Sequence, residues 1–330
     1  MRASQKKDFI AGDRLGPFRI EKRVSDDGGM AVVYRAVVDD RDHPAIQGKR
    51  VALKVARGEE HAQIYEALLT RETRSLQLMR HPGIVRIFPF SHRGRIYPDN
   101  WFGRTDAPHF FYFAMEFLEG QSLAQLIRSG ELRAYSMSWR VELLYQIACA
   151  IDYLHIRGVV HRDLKPENIM FRYKPQPDQI PQPVLIDFGL SEKRQLRGVN
   201  VLTIAYAPPE AIYDMRASSP TDLMLNNSIN KGESEATFLR KGMAFDMWSF
   251  GAVAFEVLNG TYPFGGLTGA ITVVQDNILR GQIAPMSVKI SPGMISILQE
   301  LLDRNWMTRL TIDKFLQRLE TTSGLVSPRL

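Results

Sequence analysis

The amino-acid sequence predicts an α+β fold with two lobes, a small β-rich lobe followed by a larger, mainly helical one. Between residues 18 and 56, β-branched and apolar residues cluster or alternate between Gly and Asp turns, as is typical of strands. After Gly120 the apolar residues recur at helical spacing instead. Strands that come first and helices that come later favour two lobes, which we expect to join near residues 116–120.

The predicted elements of the first lobe are five strands and one helix. The helix covers "QIYEALLTRETRSLQLMR" and is stopped by His81-Pro82-Gly83, because proline cannot continue a helix. The strands are "FRIEKRV", "MAVVYRAVV", "RVALKVA", "GIVRIFPF" and "HFFYFAMEF".

The predicted elements of the second lobe begin with two helices, "SLAQLIRSG" and "SWRVELLYQIACAIDYLHIRG". Two short strands, "NIMF" and "VLIDF", flank a proline-rich connector at residues 173–183. From Phe245 onward the pattern is one of helices joined by loops.

Composition excludes several classes of protein. Hydrophobic residues make up 45% and charged residues 24%, which are ordinary values for a globular protein. The net charge of +6 lies in short basic runs, so we expect solvated surface and no nucleic-acid partner. The single cysteine, Cys149, excludes an internal disulfide. Without a signal-peptide pattern or an apolar stretch of about 18 residues, we expect a cytoplasmic protein with no membrane span.

The stretch "HRDLKPENIMF", residues 161–171, supplies the groups that phosphoryl transfer needs when it is combined with "IDFGL" downstream. Asp163 can orient a hydroxyl nucleophile and accept its proton, and Lys165 can neutralise the phosphoryl group as it moves. Asn168 and Asp187 offer the hard oxygen ligands that magnesium prefers. Each residue alone is compatible with a solvated turn, but the run of consecutive matches favours catalysis.

These motifs make the chain resemble the eukaryotic-like (bacterial-type) serine/threonine protein kinase family. The resemblance covers nearly the whole chain and implies a two-lobed protein-kinase-like fold. The implied kinase domain spans residues 18–319, with an N-lobe of about 18–116 and a C-lobe of about 120–319. An N-terminal extension, 1–17, precedes the domain, and a tail, 320–330, follows it.

The resemblance also implies ATP and Mg²⁺ as cofactors. Lys54 in "VALKV" would bind the α- and β-phosphates and pair with Glu72, whose sequence position alone is also compatible with an exposed helix charge. Met115 would be the gatekeeper and Met170 the floor of the adenine pocket. The other implied nucleotide-binding positions are Ser25, Asp26, Gly28, Gly29, Val33, Ala52, Glu116 and Leu118.

Further landmarks of the second lobe match the same family. In "TIAYAPPE", Thr203 would lie beside the catalytic aspartate and Glu210 would be a buried acid. Arg309 in "TRLTIDKF" would be the buried partner of Glu210. The motif "DMWSFG" would place Asp246 and Gly251 at the head of the central helix.

The loop "VSDDGGMAVVY" departs from the glycine-rich pattern, because Asp26 and Ala31 replace two glycines. By itself this stretch is compatible with a plain β-turn. Gly28 and Gly29 keep backbone approach at the loop tip, whereas Asp26 brings a negative charge near a polyanion. We therefore expect a weakened but usable phosphate-binding loop.

Two further departures concern regulation. Residues 191–208 contain only Ser191 and Thr203 as Ser or Thr hydroxyls, so the usual phosphorylation switch midway along this segment is missing. Arg162, which would receive such a phosphate, is left with another partner or with none. The polar stretch between Glu210 and Asp246 predicts an inserted loop of about twenty residues.

Three functions are compatible with the sequence. The leading one is ATP-dependent phosphoryl transfer to serine or threonine hydroxyls of an unidentified protein substrate. A pseudokinase that acts as a nucleotide-binding scaffold or regulatory module is the main alternative. It is supported by the altered glycine-rich loop and by residues 191–208, which lack a phosphorylation site midway. A small-molecule phosphotransferase is the third, disfavoured by "APPE", "DMWSFG" and Arg309.

Overall fold

The computed structural model divides the chain into two compact units. One consists of residues 1–80 with 85–117, and the other of residues 81–84 with 118–330. Within them the structure describes residues 9–25, 31–39, 46–56, 69–70, 72–73, 76–88, 111–188, 204–217, 234–265 and 270–323.

The first unit contains a five-stranded antiparallel sheet with strands in sequence order. Its strands are β1 (Arg14–Leu15), β2 (Phe18–Ser25), β3 (Ala31–Val38), β4 (Arg50–Ala56) and β5 (Tyr112–Glu116). Apolar residues alternate along the strands and bury one face of the sheet, a pattern that is common in antiparallel sheets. Phe18 on β2 meets Tyr112 on β5 edge to face, with ring centroids 5.9 Å apart.

Two predictions for the first lobe have different outcomes. The predicted helix is confirmed where the structure describes it, at residues 69–70, 72–73 and 76–77. The predicted strand "GIVRIFPF" is wrong, because Ile84 and Ile87 form only isolated bridges. The N–H of Ile84 donates to His81 O at 3.1 Å in a turn, so this residue does not enter a continuous ladder.

The second unit is mainly helical. Its helices are α1 (Leu123–Arg128), α2 (Met137–Ile156), α3 (Pro209–Ala217), α4 (Glu235–Asn259), α5 (Ile271–Arg280), α6 (Pro292–Leu301) and α7 (Ile312–Ser323). Between α2 and α3, the two short strands β6 (Ile169–Phe171) and β7 (Pro183–Leu185) pair antiparallel. These two strands and the predicted helices after Gly120 are confirmed.

Helix α4 passes through the core of the second unit. Trp248, Phe250 and Phe255 are among its fully buried residues, and Phe250 meets Phe315 of α7 edge to face at 5.0 Å. In the described part of the chain, no helix combines the length and apolar character that a bilayer crossing requires.

The start of α4 corrects two expectations. Asp246 does not head the central helix, because α4 begins at Glu235. The inserted stretch is not a loop throughout: α3 extends to Ala217, and residues 218–233 lie outside the described residues. Ser234 caps α4 by accepting the N–H of Thr237 at 3.2 Å, which satisfies one of the free donors at a helix start.

Candidate active site

A buried ion pair lies in the first unit. Lys54 is on β4, opposite Phe113 of β5, and its Nζ lies 2.9 and 2.8 Å from the two carboxylate oxygens of Glu72. The side chains of Lys54 and Glu72 are 11% and 1% exposed. Glu72 is therefore not an exposed helix charge. A buried pair of this kind holds the Lys54 ammonium group in one position beside a paired strand.

In the second unit, Asp246 of α4 holds the turn in front of Asp163. Its carboxylate accepts the backbone N–H of His161 at 2.8 Å and of Arg162 at 2.7 Å. Nε2 of His155 donates to the same carboxylate at 2.9 Å. Asp246 is fully buried, and a buried carboxylate is stable only when several donors compensate its charge.

This anchoring accompanies an uncommon backbone conformation. Arg162 has a φ of 62°, in the left-handed region that a residue with a Cβ rarely adopts. The hydrogen bonds to Asp246 stabilise the turn at that point. As a result, the residue that follows, Asp163, lies in a fixed loop and not on a freely moving segment.

Asp163 is buried and bonded within its own loop. Its Oδ2 accepts a hydrogen bond from Lys165 Nζ at 2.9 Å and another from Asn168 Nδ2 at 2.9 Å. The Asn168 amide also donates to the backbone carbonyl of Asp163 at 2.9 Å. The short 3₁₀ turn Pro166–Asn168 brings Asn168 back toward Asp163. The structure thus brings together three of the predicted residues.

His161 supports this loop as a neutral side chain. Burial lowers the pKa of its imidazole, although the nearby carboxylate of Asp246 acts in the opposite direction. Nδ1 accepts the N–H of Asp163 at 3.3 Å, and Nε2 donates to Ile186 O at 3.2 Å. These bonds assign the proton to Nε2. The ring also packs against Phe188, with centroids 4.6 Å apart.

The amide of Asn168 and the carboxylate of Asp187 fit a magnesium ion by their chemistry. The Asn168 NH₂ group is directed at Asp163, so its amide oxygen points the other way and can accept a cation. Asp187 has a φ of 62° and follows Ile186, whose N–H donates to Asn168 O at 3.0 Å. An amide and a carboxylate oxygen are the ligand types that Mg²⁺ takes alongside phosphate and water.

The predicted adenine-site residues lie in both units. In the first unit, Ala52 pairs with Met115 across β4 and β5, and Val33 pairs with Ser25 across β2 and β3. The Glu116 carboxylate accepts the N–H of Arg86 at 3.0 Å.

In the second unit, Leu118 is buried, and Met170 on β6 pairs with Val184 of β7. Four predicted positions, Asp26, Gly28, Gly29 and Thr203, lie outside the described residues. The two strands that flank the loop, which end at Ser25 and begin at Ala31, are described.

The sequence of this chain matches a known protein family. The protein kinase domain family matches residues 25–224 of the chain. The chain belongs to the protein kinase family. The match includes both the Lys54–Glu72 pair and the loop that contains Asp163.

Several curated relatives of this chain are named as serine/threonine-protein kinases. The chain is 30% identical over 273 residues to serine/threonine-protein kinase D2 of Homo sapiens, covering 82% of this chain and 26% of the relative. It is 29% identical over 312 residues to CBL-interacting serine/threonine-protein kinase 26 of Arabidopsis thaliana, covering 92% and 58%. It is 28% identical over 265 residues to pkn2 of Myxococcus xanthus, covering 78% and 26%. The chain thus spans about a quarter of the length of the first of these relatives.

A second ion pair confirms the predicted partnership of Glu210 and Arg309. Glu210 is not the buried acid that was expected, because its side chain, in the first turn of α3, is 27% exposed. Arg309 donates from both terminal nitrogens to the Glu210 carboxylate, at 2.8 and 3.0 Å. It also donates to Ala244 O at 2.7 Å and packs over the Trp248 ring at 5.1 Å. A fork of this type joins the first turn of α3 to the α4 backbone at Ala244.

Sequence reasoning missed a buried pair in this chain, Tyr206 with Glu256. The Tyr206 hydroxyl donates to Glu256 Oε2 at 2.7 Å. Burial raises the pKa of Tyr206 well above its ordinary value, and the charge of Glu256 adds to the effect. Burial likewise raises the pKa of Glu256. The signal was present: Glu256 is the one charge in the apolar run "FGAVAFEVL", and such a residue needs a buried donor.

Proposed function

We propose that this kinase catalyses ATP-dependent phosphoryl transfer to serine or threonine hydroxyls of protein substrates. The observation that carries the proposal is the arrangement around Asp163, in which a lysine and an amide each lie within hydrogen-bond distance of a buried carboxylate. Phosphoryl transfer needs little covalent chemistry from the protein. Positioning and charge compensation supply most of the rate enhancement.

In this proposal Asp163 binds the substrate hydroxyl and takes its proton as the oxygen attacks. Lys165, whose Nζ lies 2.9 Å from Asp163 Oδ2, stabilises the negative charge of the transferred group. Thr203 would lie beside Asp163, as the family resemblance implies. Asp163 and Lys165 are mostly buried, so water competes weakly for them.

Asn168 and Asp187 would hold Mg²⁺, and Lys54 would bind the α- and β-phosphates of ATP. The metal supplies compensation for the phosphate charge when it is bound. Glu72 holds the Nζ group of Lys54 in place through two hydrogen bonds, which suits a lysine that must contact an anion. The adenine base would contact Val33, Ala52, Met115 and Met170, together with the backbone of Glu116 and Leu118. The loop residues Ser25, Asp26, Gly28 and Gly29 would cover the phosphates.

The choice of serine or threonine rests on two observations. Lys165 follows Asp163 by two positions in "HRDLKPEN", the version that resembles serine/threonine kinases. The relatives compared above also carry serine/threonine-protein kinase in their names. The substrate protein would present its hydroxyl to Asp163.

A pseudokinase is the second candidate, and Asp26 in the loop sequence favours it. All five residues of the proposed chemistry are nevertheless present: Lys54, Glu72, Asp163, Asn168 and Asp187. The two candidates therefore differ in turnover and not in nucleotide binding.

The test is incubation of the purified full chain with γ-labelled ATP, Mg²⁺ and a generic basic protein. We expect label on serine or threonine of the protein substrate or of the kinase itself. Binding of ATP without any transfer of label would support the pseudokinase instead. Transfer only to small molecules would contradict the assignment of a protein substrate.

A further inference from the structure

Three residues on one face of helix α4 contact the loop that contains Asp163. Phe238, Gly242 and Asp246 follow one another at intervals of four, so they lie one above the other along the helix. Asp246 already binds the backbone N–H groups of His161 and Arg162. The two residues above it belong to the part of α4 that was predicted as a loop.

Phe238 and Gly242 contact the Arg162 side chain. The guanidinium carbon of Arg162 lies 4.5 Å from the centroid of the Phe238 ring, which is the geometry of a cation–π interaction. A Cβ placed on Gly242 would lie 3.1 Å from Arg162 Nη2 and 3.0 Å from Val160 Cγ2. The absence of a side chain at Gly242 thus permits the close approach of helix and loop.

One face of α4 therefore contacts Arg162 both at its backbone and at its guanidinium group. Its backbone, at a φ of 62°, is fixed by Asp246, and its guanidinium packs on Phe238. A backbone in a sparsely populated region persists only where its surroundings determine it fully. Asp163 is the next residue in the chain, so any relaxation of Arg162 changes the position of the Asp163 carboxylate.

We propose that Phe238 is a positioning residue, whose ring holds the Arg162 guanidinium and thereby keeps Asp163 in place without a phosphate on residues 191–208. In this sequence that segment lacks a hydroxyl midway, while α4 supplies a fixed aromatic face for the same guanidinium. Because the ring, unlike a phosphate group, is always present, it holds the Asp163 loop in place without any modification. This inference rests on the proposed function for its kinetic readout.

The kinetic test compares Phe238→Leu with Phe238→Tyr in phosphatase-treated full chain. Leucine keeps an apolar side chain but has no π-face, whereas tyrosine keeps the ring. We expect Phe238→Leu to lower kcat on the order of tenfold with KM for ATP changed less than about twofold, and Phe238→Tyr to match wild type. Equal kcat in all three proteins would overturn the proposal, as would an equal loss in Phe238→Tyr.

Leu239→Ala is the matched control, since Leu239 is the neighbouring half-buried residue on α4. It tests whether any damage near the start of the helix lowers kcat. We expect its kcat to stay within about twofold of wild type. A loss in Leu239→Ala as large as that in Phe238→Leu would contradict a specific role of the ring.

Hydrogen exchange provides a readout that does not require activity. In Phe238→Leu, the amides of His161 and Arg162 should exchange on the order of tenfold faster, because their bonds to Asp246 open more often. In an Arg162→Met background, Phe238→Leu should add no further acceleration. If wild type transfers no phosphate, the proposed function fails, but faster exchange in Phe238→Leu still supports the contact. Unchanged exchange overturns the inference whatever the activity.

Discussion

At the residue scale, Arg309 combines a buried positive charge with several hydrogen-bond acceptors. Its side chain is fully buried, and it donates to Glu210, to Ala244 O and to Asp303 O. Removing one partner of such a pair leaves the other charge without compensation. Its contribution is therefore to structure, and its loss is expected to appear as instability and not as a specific kinetic defect.

We predict that Arg309→Ala lowers the free energy of unfolding by about 3 kcal/mol. Urea denaturation followed by tryptophan fluorescence measures this difference. The matched variant Arg309→Met with Glu210→Gln should recover part of the loss, because it removes both charges. If the single variant unfolds at the same urea concentration as wild type, the pair does not stabilise the fold.

A pH prediction follows from His161, whose pKa is lowered by burial from the ordinary value of 6.5. The unfolded state then binds a proton at a higher pH than the folded state does. The stabilising contribution is complete above about pH 6.5 and is lost as the pH falls toward the folded pKa. Protonation of Nδ1 would also break the hydrogen bond that it accepts from Asp163 N–H.

The measurement is the free energy of unfolding between pH 7.5 and pH 5, for wild type and for His161→Leu. We expect the wild type to lose more stability over this interval than the variant does, since leucine binds no proton. Parallel curves for the two proteins would show that His161 is not the group responsible.

At the element scale, the sequence predicted most strands and helices but not where α4 begins. The strands β2, β3 and β4 have clear β-branched runs, and α2 has a clear helical period. The residues before Asp246 continue a mostly polar stretch, 216–242, that ends at Gly242, and this composition favours a loop. Their helical state depends on the Ser234 cap and on packing against the Asp163 loop, and a local pattern cannot reveal such tertiary contacts.

The close packing of α4 makes a glycine necessary at position 251. A Cβ there would lie 2.8 Å from Leu301 Cβ and 3.3 Å from the Leu301 backbone. We predict that Gly251→Ala lowers the free energy of unfolding by about 1–3 kcal/mol, although alanine is the better helix former. Val273→Ala, at an exposed position of α5, should change it by less than about 0.5 kcal/mol. A stabilised Gly251→Ala protein would mean that α4 and α6 are not so tightly packed.

At the scale of the whole molecule, the motif residues were predictable because they are adjacent in sequence. Asp163, Lys165 and Asn168 lie in one run, and the structure bonds them to one another. What could not be predicted depends on distant contacts. The Tyr206–Glu256 bond and the contact of Phe238 with Arg162 join residues far apart in the chain, and a single sequence contains no direct record of such contacts.

Stable packing and catalytic turnover are also separate properties. The packing around Asp246 and Arg309 does not itself transfer a phosphoryl group, so the same fold is compatible with an active kinase and with a pseudokinase. Stability measurements therefore cannot distinguish them. Turnover that depends on the Asp163 carboxylate can.

The most direct measurement of the central claim is the rate of phosphoryl transfer by Asp163→Asn. The amide cannot accept the substrate proton, so we predict a fall in kcat of at least about 100-fold, with ATP binding and melting temperature close to wild type. Asp178→Asn is the matched control, because Asp178 is exposed in the connector between β6 and β7, and it should keep full activity. Transfer by Asp163→Asn at the wild-type rate would contradict the account.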